Sequence, residues 1–276
     1  MKRQVLFSRD DSWRNFIERA DELIASPQFR PIKREGRTVA GIVQFDGRPI
    51  AFLKRSEVKS RGRGIVERFR GSRAARAVRG AQMLESANIP HPAPLAAMNV
   101  LENGGITASY LVTELIADGD SLSRFTLGPA GELARDARRR KQILGQVARE
   151  VRRIHDAGLY TRDLQETNVM VQDATDGYRV YFIDLEDYRK LRRVSWEQRL
   201  ENLVHLDRSI GRFLCRAARL DFFYSYLGER PSHGEARRMI AEYIEVLSRI
   251  SSRHTSARSV SDAASEAPAP APGSRL

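Results

Sequence analysis

The segment Gly158 to Asp187, GLYTRDLQETNVMVQDATDGYRVYFIDLED, concentrates the residues best suited to chemistry. Asn168 to Gln172 and Tyr178 to Ile183 are β-prone runs, and Asp173 to Gly177 between them has turn composition, so the segment reads as a hairpin. If the hairpin closes symmetrically near Asp176, Asn168 and Asp184 lie opposite each other at its open end. Asp163 is five residues before Asn168, one loop away, which brings three oxygen-bearing side chains to one edge. An amide and a carboxylate are hard oxygen donors that suit magnesium, whose remaining positions are filled by water and substrate phosphates.

Phosphates also call for a fixed cation. Lys54 ends the run Pro49-Ile50-Ala51-Phe52-Leu53-Lys54, the second of two β-prone stretches joined by Asp46-Gly47. That dipeptide is a strong hairpin signal, with Thr38 to Phe45 before it and Arg48 to Lys54 after it. From about Lys59 to Ala87 follow an Arg-rich loop and helix, then Leu95 to Glu102, an Asn103-Gly104-Gly105 turn and the strand Ile106 to Thr113. Before all of these, Asp11 to Ala25 places Trp13, Phe16, Ile17, Ala20, Leu23 and Ile24 at helical spacing. Residues 1–36 therefore read as a helical extension and 37–116 as a small β-rich lobe.

Residues 117–250 read as a mainly helical second lobe. Leu133 to Ile154 is a long helix whose apolar face is Ile143, Leu144, Val147, Val151 and Ile154, stopped by Gly158. Ser195-x-x-Gln198 and Ser232-x-x-Glu235 are capping boxes that open two later helices, with the aromatic-rich Leu220 to Leu227 between them. Residues 251–276 fall to Ser, Ala, Arg and Pro and read as a disordered tail. The order of elements gives an α+β, two-lobed architecture rather than an alternating βαβ sheet.

Composition narrows the partners. With 41% hydrophobic residues in 276, a sizeable core is expected. No apolar run approaches the roughly 20 residues that span a bilayer, and MKRQVLFSRDD turns acidic before a signal-like stretch develops. Cys215 is the only cysteine, which rules out an intramolecular disulfide and a Cys-based zinc site and fits a reducing cytoplasm. The five histidines lack metal-ligand spacing. A formal net charge of +12 points to an anionic partner. Ten Lys or Arg face two acids between Lys54 and Arg79, where Arg73, Arg76 and Arg79 recur at helical spacing as a cationic stripe or a solvated face. Nucleic acid is disfavoured, because no aromatic platform interleaves with these arginines.

Taken together, these residues resemble a family. Arg162-Asp163-Leu164, Asn168 and Asp184-Leu185-Glu186 match the kinase pattern R-D-L-x-x-x-N followed by a D-F-G-like aspartate. With AFLKR, SRAARAVRGAQMLESANIPHPAPLA, SYLVTE, FIDLEDYR and RLENLVHLDRS, the stretch from about Val39 to Leu227 is similar to the lipopolysaccharide core kinases, which include Kdo and heptose kinases. The resemblance implies a protein-kinase-like fold and an ATP- and Mg2+-dependent transfer of phosphate to a sugar hydroxyl. The acceptor that the resemblance implies is a lipopolysaccharide core or lipid A precursor at the cytoplasmic face of the inner membrane, where peripheral binding to an anionic surface is also expected. It also implies Asp163 as the base, Asn168 and Asp184 as metal ligands, and Lys54 on the α and β phosphates. Adenine is placed against the Glu114 carbonyl and the Ile116 amide.

Three departures accompany the likeness. Only Gly36 and Gly41 lie near the first strand turn, so no G-x-G-x-x-G is present, and Thr161 stands where H-R-D has its His. Ala77 fills the usual place of the helix glutamate that pairs with the strand lysine, leaving Glu67, Glu85 or no acid for Lys54. The competing readings are a protein or small-molecule kinase of the same fold and, if no acid pairs with Lys54, a weak pseudokinase or anion-binding scaffold.

Overall fold

The computed structural model describes residues 1–123, 136–175, 177–211, 214–228 and 231–265. Its N-terminal part is a six-stranded antiparallel sheet with strand order β1-β5-β6-β4-β3-β2. The strands are β1 (Lys2–Ser8), β2 (Phe29–Glu35), β3 (Thr38–Phe45), β4 (Arg48–Glu57), β5 (Pro94–Glu102) and β6 (Gly105–Thr113). Asp46 and Gly47 both have positive φ, 49° and 74°, as do Asn103 and Gly104, at 49° and 80°. Two successive left-handed residues match the twist of the strands they join, which is why these dipeptides close the β3–β4 and β5–β6 hairpins.

The expected N-terminal helical extension needs correction. Asp11 to Ala25 forms two short helices, α1 (Asp11–Glu18) and α2 (Ala20–Ala25), broken at Arg19. They are flanked by the edge strands β1 and β2, so residues 1–36 are built into the sheet. Ile17, Ala20, Leu23 and Phe29 bury against Val43, Leu53, Leu95 and Val112. Both strands escape sequence reading because their outward positions are charged and β2 contains Pro31, at a register shift. Charge, proline and bulges are the marks of an edge strand, where one row of N–H groups needs no partner.

Between β4 and β5 lie α3 (Arg61–Arg70) and α4 (Arg73–Ser86), each opened by a serine cap, Ser60 and Ser72. The cationic stripe on α4 is largely used internally. Arg76 Nη1 donates to Gly71 O at 2.7 Å and Arg79 Nη2 to Arg70 O at 3.1 Å, which ties the two helices at their junction.

The C-terminal part is helical. Its centre is α5 (Ala137–Asp156), and Ile143, Leu144, Val147, Val151 and Ile154 are buried as the periodicity requires. The expected start at Leu133 lies outside the described residues. Around α5 pack α6 (Trp196–Ile210), α7 (Arg216–Leu227) and the β7–β9–β10 sheet, in which β7 is Asp120–Ser121, β9 Val169–Ala174 and β10 Gly177–Phe182. A small pair, β8 (Leu159–Tyr160) with β11 (Arg189–Lys190), brackets the catalytic-type segment. Both capping boxes form: Ser195 with Gln198, and Ser232 with Glu235. The last helix, α8 (His233–Ser265), continues fifteen residues past the point where a disordered tail is expected. Alanine and arginine are good helix formers, so a helix already nucleated by a packed, capped start propagates through them. Residues 266–276 of that tail lie outside the described residues.

Candidate active site

The hairpin forms with Val169 opposite Phe182, and the Ile183 N–H donates to Asn168 O at 2.9 Å. Asp184 therefore lies one residue beyond Asn168's partner rather than directly opposite it. At that point the chain leaves the strand, with Asp184 in the left-handed region at φ 59°, ψ 62°, and enters a 3-10 turn, Leu185–Asp187.

The turn sends two carboxylates to one lysine. Lys54 Nζ lies 2.9 Å from Asp184 Oδ1 and 2.8 Å from Glu186 Oε1. Burial on its own would lower the Lys54 pKa, but Glu186 and Asp184 outweigh it and hold the ammonium above its usual value. Glu186 also faces Arg73 at 3.6 Å from the start of α4. The acid that pairs with Lys54 is thus Glu186. Glu67 and Glu85, the two considered from sequence, lie on α3 and at the end of α4, and Ala77 is buried on α4. Glycine at position 80 makes the arrangement possible, since a Cβ there would stand 2.1 Å from Leu185 O. Helix α4 thereby rests its backbone on the turn that carries Asp184 and Glu186.

On the neighbouring loop, Asn168 Nδ2 donates to Asp163 Oδ2 at 2.9 Å and to Asp163 O at 3.0 Å, and Gln165 Nε2 donates to Asp163 Oδ1. The Asp163 carboxylate is held at both oxygens by neutral amides, which orient it without neutralising it. Because the Asn168 nitrogen is committed to Asp163, its Oδ1 points to other use and accepts no protein hydrogen bond among the described residues. Among the described residues the second oxygen of Asp184 likewise accepts no protein hydrogen bond. Two hard oxygens just beyond the open end of the hairpin fit a magnesium ion that completes its shell with water and phosphate.

A buried chain of hydrogen bonds steadies the loop. Asn202 Nδ2 on α6 donates to Thr161 O at 2.8 Å, and the Asp163 N–H donates to Thr161 Oγ1 at 3.2 Å. Since Asn202 Oδ1 can only accept, His155 Nε2 donates to it across 3.1 Å, and His155 Nδ1 accepts from Tyr226 OH at 2.8 Å. Burial in this neutral chain pushes the His155 pKa down to about 4. Burial, with the charge of Asp163 beside it, also pushes the Tyr188 phenol up, keeping it neutral. Asn202 was visible in sequence only as part of RLENLVHLDRS, and His155 only as a residue without a metal partner.

The segment after β6 joins the sheet to the helical part. Glu114 N–H donates to Ala93 O at 2.9 Å, Glu114 O accepts from Thr113 Oγ1 at 3.1 Å, and the Glu114 carboxylate pairs with Arg9 at 2.8 Å. Ile116 follows on the link to β7 and packs over Gly119.

Comparison with known proteins gives this geometry a context. A solved structure described as WaaP in complex with acyl carrier protein has a TM-score of 0.58 at 20% identity, covering 88% of this chain and 99% of that one. The PAN3 pseudokinase of Neurospora crassa, as a mutant, reaches only 0.39 at 12% identity, over 91% of this chain and 74% of that one. The first likeness shows the two-lobed, protein-kinase-like fold. No curated protein matches the sequence. The profile of the lipopolysaccharide kinase (Kdo/WaaP) family matches residues 60–226, which carry α3, α4, the hairpin and the Lys54-binding turn. That match covers more than half of the chain, so this protein belongs to the lipopolysaccharide kinase (Kdo/WaaP) family.

Proposed function

We propose that this protein transfers the γ-phosphate of ATP to a hydroxyl of a Kdo or heptose residue in the lipopolysaccharide inner core, working at the cytoplasmic face of the inner membrane. The observation that carries the proposal is the double pairing of Lys54 with Asp184 and Glu186, next to an Asp163 carboxylate oriented by Asn168 and Gln165. The sheet part, which includes β1 and β2, and the helical part after it then act as the two lobes, with adenine against Glu114 and Ile116 at their junction.

In this mechanism Lys54 neutralises the α and β phosphates and Asp163 accepts the proton of the attacking sugar hydroxyl. As the new O–P bond forms, the bond from the γ-phosphorus to ADP breaks and the electron pair leaves with ADP. Asn168 Oδ1 and Asp184 would hold a magnesium ion, which would supply charge neutralisation on the phosphates. Most of the rate enhancement in such a reaction comes from positioning and charge, which explains why so many contacts fix so few groups. The Glu186 pairing removes the main ground for reading the chain as a scaffold, namely the lack of an acid for Lys54.

The test is mass spectrometry of Kdo-lipid A and heptosylated core after incubation with Mg-ATP, with and without the protein. One added phosphate on the sugar is expected. Asp163→Ala should lose at least about 10³-fold in turnover while still binding nucleotide. Label from ATP appearing only in added protein would overturn the sugar acceptor, and full activity of Asp163→Ala would remove that residue from the mechanism.

A further inference from the structure

Helix α3 displays an apolar face to solvent. Phe69 is 84% exposed, Val66 48% and Ile65 45%. These three lie at i, i+3 and i+4 relations, so they form one patch rather than scattered residues. The opposite face is fastened down: Gly64 is buried so close to β6 that a Cβ would meet Ile106 O at 2.4 Å, and Arg68 Nη1 donates to Gly104 O at 2.8 Å. A helix held this way cannot roll its apolar side inward. Water is a poor environment for such a patch on an otherwise cationic surface.

Charge surrounds it. Arg63 and Arg70, seven residues apart, border Val66, and neither guanidinium has a protein partner among the described residues. Glu67 is the one acid on the helix. Beside α3, a shallow cleft is lined by Arg68, Gly104, Met1 and Lys2, with Met1 88% exposed. An aromatic and aliphatic strip edged by unpaired arginines is complementary to the boundary between anionic headgroups and acyl chains.

We propose that α3 is a membrane-docking helix, with Phe69, Val66 and Ile65 entering the interface of an anionic phospholipid bilayer and Arg63 and Arg70 pairing with headgroup phosphates. This goes beyond the kinase reading, and it is tested without turnover, so each can fail alone. Docking through α3, which leads directly into α4 and its Arg73–Glu186 contact, sets the nucleotide-binding turn beside the bilayer.

The full-length protein is sedimented with vesicles of phosphatidylethanolamine and phosphatidylglycerol, and with vesicles of phosphatidylcholine alone. Binding to the anionic vesicles is expected, and Phe69→Asp should weaken it by about tenfold or more. Arg63→Glu with Arg70→Glu should weaken it similarly and flatten its salt dependence. Phe69→Trp should bind as the parent does and show a blue-shifted emission increment on anionic vesicles only. Phe69 is too exposed for either substitution to threaten folding, which circular dichroism checks. Equal binding by Phe69→Asp, no binding by the unsubstituted protein, or an unchanged Phe69→Trp spectrum on pelleted vesicles would each overturn the proposal. The last result would mean contact by charge without insertion.

Discussion

Lys54 sets one ammonium against two carboxylates, and the two acids have unequal parts. Asp184 offers a free oxygen to a cation, whereas Glu186, with a side chain only 12% exposed, is engaged by Lys54 and Arg73. Glu186→Gln keeps the shape and removes the charge, so Lys54 should be less well aimed at phosphate while Asp184 still holds it. The expected result is a roughly 10²-fold loss in kcat/KM, about 2.7 kcal/mol, with a stability loss of only about 1 kcal/mol in denaturant melts. Glu67→Gln and Glu85→Gln should leave kcat/KM unchanged. His155 makes a second residue-level case. Its pKa is depressed to about 4 in the fold against 6.5 when free, so between these values the unfolded chain binds the proton and the folded chain does not. Stability from this group is complete above pH 6.5 and is lost as pH falls toward 4, by up to about 3 kcal/mol. In His155→Gln that loss is absent, so the stability gap between parent and variant should narrow steadily in melts taken from pH 7 to pH 4.

Helix α4 and the 185–187 turn form a contact with no side chain between them at Gly80. Gly80→Ala would be favourable for an isolated helix by about 1 kcal/mol. Here the added carbon meets the Leu185 carbonyl, so tertiary contact should override propensity and leave the variant about 1–3 kcal/mol less stable. Because the turn carries Asp184 and Glu186, its displacement should also lower kcat/KM, which urea titration and steady-state kinetics together would register. An unchanged melt with full activity would show that the turn is free to shift. At this scale the sequence was most legible where local signals are strong. The Asp46-Gly47 and Asn103-Gly104 turns, the two capping boxes and the apolar face of α5 depend on neighbours within a few residues, and all five stand as read. Strand β1 depends on β5, whose partners lie nearly 100 positions away, whereas β2 pairs with β3 close by in the chain and was concealed by its charged residues and Pro31.

Across the whole molecule, the sheet contributes Lys54, the hairpin contributes Asn168 and Asp184, and α6 and α7 support the loop from behind through Asn202 and Tyr226. Nucleotide binding between the two parts should therefore stabilise both at once. At about 100 times its Kd, Mg-ATP should add about 2.7 kcal/mol, raising Tm by about 5 °C, and Asp184→Ala should abolish the rise. A shift of equal size in that variant would place the metal elsewhere. The sequence by itself determined the α+β order of elements, the hairpin that presents Asn168 and Asp184, and the strand that carries Lys54, though that strand runs on to Glu57 rather than ending at the lysine, because hydrophobic period and turn chemistry are local properties. Only the tertiary structure decided that Glu186 serves Lys54, that Asn202 and His155 brace Thr161, and that α3 turns its apolar face outward. Each of these joins residues more than 40 positions apart or depends on a backbone contact at Gly80 or Gly64, and no spacing rule within the chain reaches across such a distance.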